Sequence, residues 1–473
     1  MRTTIHYIAI LFLSGLAFGA CHKQLNVLPT TQEVDGNIIT DQKSAATALN
    51  GVYYQFACGG TDPNGVPSTT WYEINEEFPG QLSGMLDYTE GGGGLDLHSY
   101  NAKTYGIDAV WINAYDIVNA ANGFLKNIAP VTTIESSAKT QMIAEAKFLR
   151  AYANTQLLLY YGQYYDTTSQ YGIILRTEFV TQNNIYLSRV SVATTYDSIL
   201  ADLDFAIPNL PSLNTANYYA NAWAAKLLEA RLLINRGGAA DYAQVISLTQ
   251  DIMTNGPFTL DANVQNIFWT EGLASNEVIL GVEPYVNQNI KWTSYIYRDD
   301  YDPSTLMQQL FNGDPRAAWC IDTIVNPYGV LPAITKYYPG SVSSISFTPV
   351  TENSYAFRLT EAYLLQAEAI VASNGSLAAA KTLLTTVLTN AGVTDFTAVN
   401  SANTPAALQL QIIEEEMRNF VSEAGQDWFA LRRLPFTTIQ GLEPTITMPS
   451  LLILPIPYSE TSENANAQQN PDY

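Results

Sequence analysis

Glu361 and Glu368, seven residues apart, are the first side chains whose type and spacing could do chemistry. On a helix they share one face, with Cα atoms about 10 Å apart at about 1.5 Å per residue. Glycosidases place two carboxyl groups about 5 Å apart for retention or about 6.5–9.5 Å apart for inversion, and bent side chains could reach the longer range. Arg358, however, stands three residues before Glu361, where an i,i+3 ion pair is expected. Glu145 and Arg150 read in the same way, as charges on a packing helix that need fixed partners. All of these are expected to serve the scaffold, and no catalytic residue is assigned.

Other constellations are weaker. Gly91–Gly94 has neither the preceding strand nor the following Lys-Ser/Thr of a phosphate-binding loop, so it reads as a flexible loop. Asp87, Glu90 and Asp96 around it could hold Ca²⁺ through oxygen ligands, but their spacing fits no EF-hand, and a solvated acidic loop is the better reading. His6 and His22 lie near the N-terminus, which leaves His98 as the one histidine placed for chemistry. The chain has no H-E-x-x-H, G-x-S-x-G or paired-cysteine motif, and no cofactor is expected.

The remaining candidates are aromatic. Trp71, Tyr72, Trp292, Tyr295 and Tyr297, with Arg298 and Asp302 as polar partners, stand among turn residues in two long segments without helical period, 57–105 and 257–351. Flat rings suit the C–H faces of sugars, and Asp, Asn and Arg suit their hydroxyls. Loop-core packing is the competing expectation at each position.

These segments need a scaffold to position them. Ile143–Tyr165 has no Pro and one Gly near its end, and it is apolar over most of its helical circumference through Ala146, Phe148, Leu149, Tyr152, Ala153, Leu157, Leu159 and Tyr160. Such a helix needs neighbours on several sides, so it is expected to be the inner helix of an array. Amphipathic spacing predicts further helices over Asp41–Phe56 (Asp41 as N-cap), Asp108–Ile128, Val192–Ile207 (stopped by Pro208), Tyr355–Ala372, Ser376–Leu388 and Leu408–Leu431. Between Asn221 and Asn255, two helices meet at Gly237-Gly238 in roughly 34 residues, the size of a tetratricopeptide repeat. Val278–Val282 reads as a strand, and the tail after Leu431 has no helical period.

A chain of 473 residues with 47% hydrophobic and 14% charged content is long enough for a large core. Its formal charge of −22 repels phosphate backbones, so no nucleic-acid partner is expected. Met1–Ala20 reads as a targeting segment, with Arg2, an apolar core over Ile8–Leu16, and small residues before Cys21. It resembles a bacterial lipoprotein signal, which implies cleavage before Cys21 and acylation of that residue. Cys58 and Cys320 are then expected to be separate buried thiols.

Four ordered blocks resemble the SusD/RagB family of Bacteroidetes outer-membrane lipoproteins. They are Cys21…Leu25-Asn26…Pro29-Thr30; Glu145-Ala146-Lys147-Phe148-Leu149-Arg150-Ala151; Arg358-Leu359…Glu361…Tyr363-Leu364-Leu365…Ala367-Glu368-Ala369; and Leu454-Pro455-Ile456-Pro457…Gln469-Asn470-Pro471…Tyr473. The family's E-G-x-R-W-F-D-L-R region appears as Ala424-Gly425-Gln426-Asp427-Trp428-Phe429-Ala430-Leu431-Arg432, where an acidic and a basic partner are replaced.

The resemblance implies a mostly α fold, with about four tetratricopeptide-like helical hairpins as scaffold, long irregular loops and little β. It implies a signal at 1–20, a tether at 21–40 and a single SusD-like domain at 41–473, with the scaffold mainly in 41–56, 106–256 and 355–431. It further implies a non-enzymatic, surface-exposed outer-membrane lipoprotein that captures oligosaccharide and delivers it to a TonB-dependent, SusC-like transporter. The alternatives are a surface glycoside hydrolase and a binder of another nutrient such as peptide.

Overall fold

Polar side chains set where the helices begin, by accepting hydrogen bonds from backbone N–H groups that have no partner within the helix. Asp41 Oδ1 accepts from Ser44 N at 2.8 Å and opens α1 (Gln42–Cys58). Gly106 precedes α2 (Ile107–Ile128). Glu135 Oε2 accepts from Ala138 N at 3.0 Å and opens α3 (Ser136–Tyr161). Ser191 caps α4 (Val192–Asn209), and Asn221 caps α5 (Ala222–Arg236). Gly237, at φ 77° and ψ 23°, ends α5 in the left-handed region, and α6 (Ala239–Asn255) follows at once. Later come α7 (Leu359–Ala372), α8 (Leu377–Asn390) capped by Ser376, α9 (Pro405–Phe420) capped by Thr404, and the short α10 (Gln426–Leu431).

The computed structural model describes residues 38–58, 70–91, 94–285, 288–297, 300–326, 329–339 and 348–473. Successive helices lie against one another from α1 to α8, and α9 closes on α7 and α8. Short connections join α2 to α3, α5 to α6 and α7 to α8, and the helices α2–α9 form the expected array of tetratricopeptide-like hairpins. The inner helix α3 touches α1, α2, α4 and α5. Its residues Ala144–Ala146, Phe148, Leu149 and 151–161 are all buried. Strands are few. β1 (Leu86–Tyr88) pairs with β3 (Tyr301–Pro303), β2 (Val278–Val282) with β6 (Ser354–Arg358), and β4 (Ile321–Asn326) with β5 (Gly329–Ile334), all antiparallel.

Several expectations from sequence are corrected. The helix expected from Tyr355 starts at Leu359, because Ser354–Arg358 forms β6 against β2 and is buried throughout. The helix expected over Leu408–Leu431 breaks after Phe420, where Ser422, Ala424 and Gly425 adopt φ values of 56°, 48° and 70°. Tyr337 Oη holds Ser422 O at 2.6 Å and Lys336 Nζ holds Val421 O at 2.8 Å, so tertiary bonds fix the break. α4 runs through Pro208 to Asn209, not to Ile207. The segment 57–105 is not wholly irregular. It contains a π-helical turn, Glu73–Glu77, a helix Phe78–Leu82 and β1. The segment 257–351 likewise holds short helices at Thr305–Leu310 and Ala317–Cys320 and the β4–β5 hairpin. Short helices also occur in the tail, at Phe436–Leu442 and Tyr458–Glu463.

The signal at 1–20, Cys21 and the tether as far as residue 37 lie outside the described residues. Among the described residues, no helix is long and apolar enough to cross a membrane.

Candidate ligand-binding cleft

The charged residues singled out from sequence serve the interior. Arg358 does not pair with Glu361. It ends β6, off the helix, so the i,i+3 geometry does not apply. Its guanidinium reaches Glu277 Oε1 at 2.6 Å and Glu423 Oε2 at 2.7 Å. Glu361 is held by Arg231, with Nε–Oε1 at 2.7 Å, and Glu368 by Arg433 at 2.8 Å. Arg433 also binds Glu416, whose pKa is pushed up to about 8, chiefly by burial, against the pull of Arg433. Arg150 and Lys147 both bind Asp202, at 2.7 Å. Buried charges of this kind need such partners to be tolerated at all.

His98 is buried between Thr445 Oγ1, 2.7 Å from Nδ1, and Leu82 O, 3.0 Å from Nε2. Burial pulls its pKa down to about 4. The ring is therefore a neutral strut between the Phe78–Leu82 helix and the tail. Cys58 and Cys320 are separate buried thiols. Asp87 lies in β1 opposite Asp302 of β3, and Asp96 Oδ2 lies 3.4 Å from Tyr88 N. Among the described residues, no group of three or more His, Cys, Asp or Glu is arranged to hold a metal ion.

The aromatic candidates divide by burial. Trp71 is 2% exposed and packs edge-on against Phe56, centroids 4.8 Å apart, and along Tyr152 at 5.9 Å. Tyr295 is fully buried and stacks with Tyr337 at 6.5 Å. Tyr72 is buried too, and burial followed by the Glu77 charge drives its pKa well up. These three rings are enclosed by packing. Trp292 is half-buried against the core, and Asp302 is half-buried in β3. Tyr297 ends the π-helical turn Thr293–Tyr297, and Arg298 lies outside the described residues.

Beside them the fold assembles tyrosines that the sequence had not marked as a set. Tyr53 and Tyr54 are adjacent on α1, about 100° apart around its axis, so one ring turns inward as the other turns out. Tyr53 Oη donates to Glu145 Oε2 at 2.6 Å and accepts from Ala220 N at 2.9 Å, which ties α1 to α3 and to the segment before α5. Tyr219 meets the Tyr53 ring edge-on at 4.8 Å, and its hydroxyl donates to Asn50 Oδ1 at 3.3 Å. Tyr218 packs beside Tyr219 at 4.8 Å. Gly281 N donates to Asn217 O at 2.8 Å and joins this segment to β2.

The result is an open cleft of about 210 Å³, lined by Asn50, Tyr54, Phe56, Tyr218, Tyr219 and Glu283 among others. Tyr54 is 38% exposed and meets Tyr285 edge-on at 5.8 Å. Tyr285 in turn lines a neighbouring hollow of about 320 Å³ with Gln288, Ile290, Pro349 and Glu352. The Tyr54–Tyr285 pair thus has one ring in each of two neighbouring hollows, and Trp71 sits one layer behind, against Phe56. Burial raises the pKa of Tyr54, and pushes that of Tyr285 up to about 12, so both hydroxyls stay protonated donors at neutral pH.

Another open hollow, of about 370 Å³, lies between α2, the segment 176–186 and the tail. Two of its polar groups are committed to the fold. Tyr115 Oη donates to Ile174 O at 2.9 Å, and Arg176 donates to the carbonyls of Asn184 and Ile185. The tyrosine cleft is therefore the stronger candidate.

In sequence, the tandem pairs Tyr53-Tyr54 and Tyr218-Tyr219 were the available signal, each at the edge of a helix. Their convergence with Tyr285 depends on tertiary contacts.

Comparison with known proteins agrees with this architecture. A family model described as "Starch-binding associating with outer membrane" (SusD-like) matches residues 86–233, and one described as "SusD family" matches residues 276–441. A SusD-like protein of Bacteroides ovatus is 23% identical over 422 residues, covering 78% of this chain and 72% of its own. The crystal structure of a SusD superfamily protein from Bacteroides thetaiotaomicron superposes with a TM-score of 0.73 at 20% identity, covering 92% of this chain and all of that one. A laminarin-binding SusD-like protein superposes with a TM-score of 0.70 at 19% identity, over 92% of this chain and 100% of its own.

Proposed function

The chain belongs to the SusD/RagB family, and from that premise we propose that it is a nutrient-binding protein of the outer-membrane surface that captures an oligosaccharide in the tyrosine cleft. The observation that carries this reading is the Tyr54–Tyr285 pair, the first ring exposed and the second half-buried, each in one of two neighbouring hollows, with Tyr218, Tyr219 and Asn50 alongside. Rings of this kind offer faces for sugar C–H groups, while Asn50, Gln288 and the tyrosine hydroxyls offer hydrogen bonds. Trp292, Tyr297 and Asp302 are proposed as secondary ligand contacts, with Trp71, Tyr72 and Tyr295 as packing.

One relative is described as laminarin-binding, which supports a glycan as the ligand class. The proposed role is binding without catalysis. Glu361 and Glu368, the carboxylates with glycosidase-like spacing, are each engaged by an arginine in the interior and line neither hollow. Anchoring through acylated Cys21 and delivery to a TonB-dependent, SusC-like transporter complete the proposal, and both rest on the family resemblance.

Calorimetry with a panel of oligosaccharides tests the binding claim. The Tyr54→Ala/Tyr285→Ala variant is expected to lose about 1–3 kcal/mol, at about 0.5–1.5 kcal/mol per aromatic contact, a drop of about fivefold or more in affinity. Unchanged affinity in a folded variant would move the site elsewhere. Release of reducing sugar by the purified protein, lost on Glu368→Gln, would replace binding with hydrolysis.

A further inference from the structure

The charge of the cleft narrows its ligand. Among the described residues lining the two neighbouring hollows there is no Lys or Arg, whereas Glu283 lines one and Glu352 the other. Glu283 is exposed. Glu352 Oε2 accepts from the backbone N of Lys291 at 2.7 Å, which fixes its carboxylate at the wall of the second hollow.

Lys291 offsets part of the Glu352 charge but does not offer its ammonium to a ligand. Its ammonium is completely buried, 3.3 Å from Glu76, 2.6 Å from Asn353 O and 3.6 Å from the centre of the Tyr337 ring. That cation is directed into the core. The chain as a whole carries a formal charge of −22, so the long-range field has the same sign as the local one.

Resting on the proposed glycan-binding reading, we infer that the tyrosine cleft takes glycans without anionic substituents and excludes uronate-rich or sulfated ones. A ligand carboxylate or sulfate in this cleft would lose water and gain no cation from the described residues that line it. It would also meet the carboxylate of Glu283 or Glu352, a like charge that works against binding. Uncharged sugar hydroxyls meet no such barrier, since Glu283, Glu352, Asn50 and Gln288 can all accept or donate to them.

Calorimetry of the purified protein separates this inference from the reading beneath it. The arms are neutral oligosaccharides (α-glucan, β-glucan, xylan, mannan), anionic ones (oligogalacturonate, oligoalginate, sulfated galactan) and the aminated oligosaccharides of chitosan. At low salt, at least one neutral or aminated ligand is expected to bind, with every anionic ligand tenfold or more weaker. The difference should shrink in about 1 M salt, where the screening length falls to about 3 Å. Glu283→Lys should raise the affinity for anionic ligands severalfold relative to that for neutral ones.

Equal or tighter binding of an anionic glycan, lost in Tyr54→Ala/Tyr285→Ala, would overturn the charge inference and leave the cleft standing. Failure of every arm to bind, or binding indifferent to both tyrosines, would overturn the cleft reading and this inference with it.

Discussion

Replacing Arg358 with Met should expose how the interior holds the ligand face. The guanidinium is 1% exposed and bridges Glu277, at 2.6 Å, and Glu423, at 2.7 Å. The two acids do not suffer equally when it is removed. Glu423 keeps Lys336, whose ammonium also holds the carbonyls of Asn419 and Val421. Glu277 keeps only neutral donors, the Thr360 hydroxyl and the Asp261 N–H.

A buried carboxylate stripped of its cation costs about 3–5 kcal/mol, and that loss is expected for Arg358→Met at pH 8. Glu277 relieves the penalty by taking a proton, so its folded-state pKa in the variant lies above its unfolded value. The native state then binds more protons than the unfolded one, and the penalty shrinks as pH falls toward 5. Adding Glu277→Gln should return a large part of the lost stability, because a neutral amide needs no cation.

Urea denaturation followed by tryptophan fluorescence, at pH 8 and pH 5.5, reads all three quantities. A loss under about 1 kcal/mol for the single variant, a penalty independent of pH, or full additivity of the two substitutions would refute this account of the network. Arg358 ends β6, and β6 pairs with the strand that leads into Glu283, so the same variant should also weaken glycan binding.

Other outcomes follow from the same structure. His98→Asn should remove an acid-sensitive contribution. The native pKa of about 4 lies below the ordinary 6.5, so the unfolded state binds the extra proton between those values. Wild-type stability should therefore fall as pH drops from 6.5 to 4, by up to about 3 kcal/mol, while the variant lacks this slope.

Asp427 has the opposite sign. Burial raises it from 3.8 to about 7, so its contribution to stability falls as pH rises through that window. Asp427→Asn should be more stable than wild type at pH 8 by as much as about 4 kcal/mol, measured by urea midpoint. Its amide can still accept from Trp428 N and donate to Ser83 Oγ. Leu149→Asp, at a fully buried position of α3, should cost at least about 4 kcal/mol and yield no folded monomer by circular dichroism and gel filtration.

The scaffold was largely legible in the sequence because its signals are local. Asp41 caps α1, Gly237 separates α5 from α6, and the apolar circumference of α3 needs the four helices that surround it. Ser354–Arg358 was misjudged because its pattern continues into a true helix, and only pairing with β2 makes it a strand. The ion pairs failed for a related reason. Arg358 is three residues from Glu361, but its partners are 81 and 65 residues away.

Arg432, where the family pattern pairs acid with base, instead donates to the carbonyls of Leu159 and Leu452 at 2.7 and 2.8 Å and lies over Trp428 and Phe429. Backbone oxygens meet the loss of the acidic partner at Nη1 alone, since Nε and Nη2 have no hydrogen-bond partner among the described residues. The cleft was the least legible part. Trp71 and Tyr295 stand in segments without helical period in sequence yet are buried, while Tyr54 belongs to a regular helix and is exposed. Loop composition records neither fact. The tyrosines converge because Ala220 N bonds Tyr53, and Asn217 O accepts from β2, contacts without any sequence periodicity.

The most direct measurement is a crystal structure of the protein with the tightest neutral oligosaccharide from the calorimetric panel. The account predicts sugar rings against Tyr54 and Tyr285, with hydroxyls reaching Asn50, Glu283 or Gln288. Sugar bound elsewhere, with the tyrosine cleft filled only by water, would contradict it.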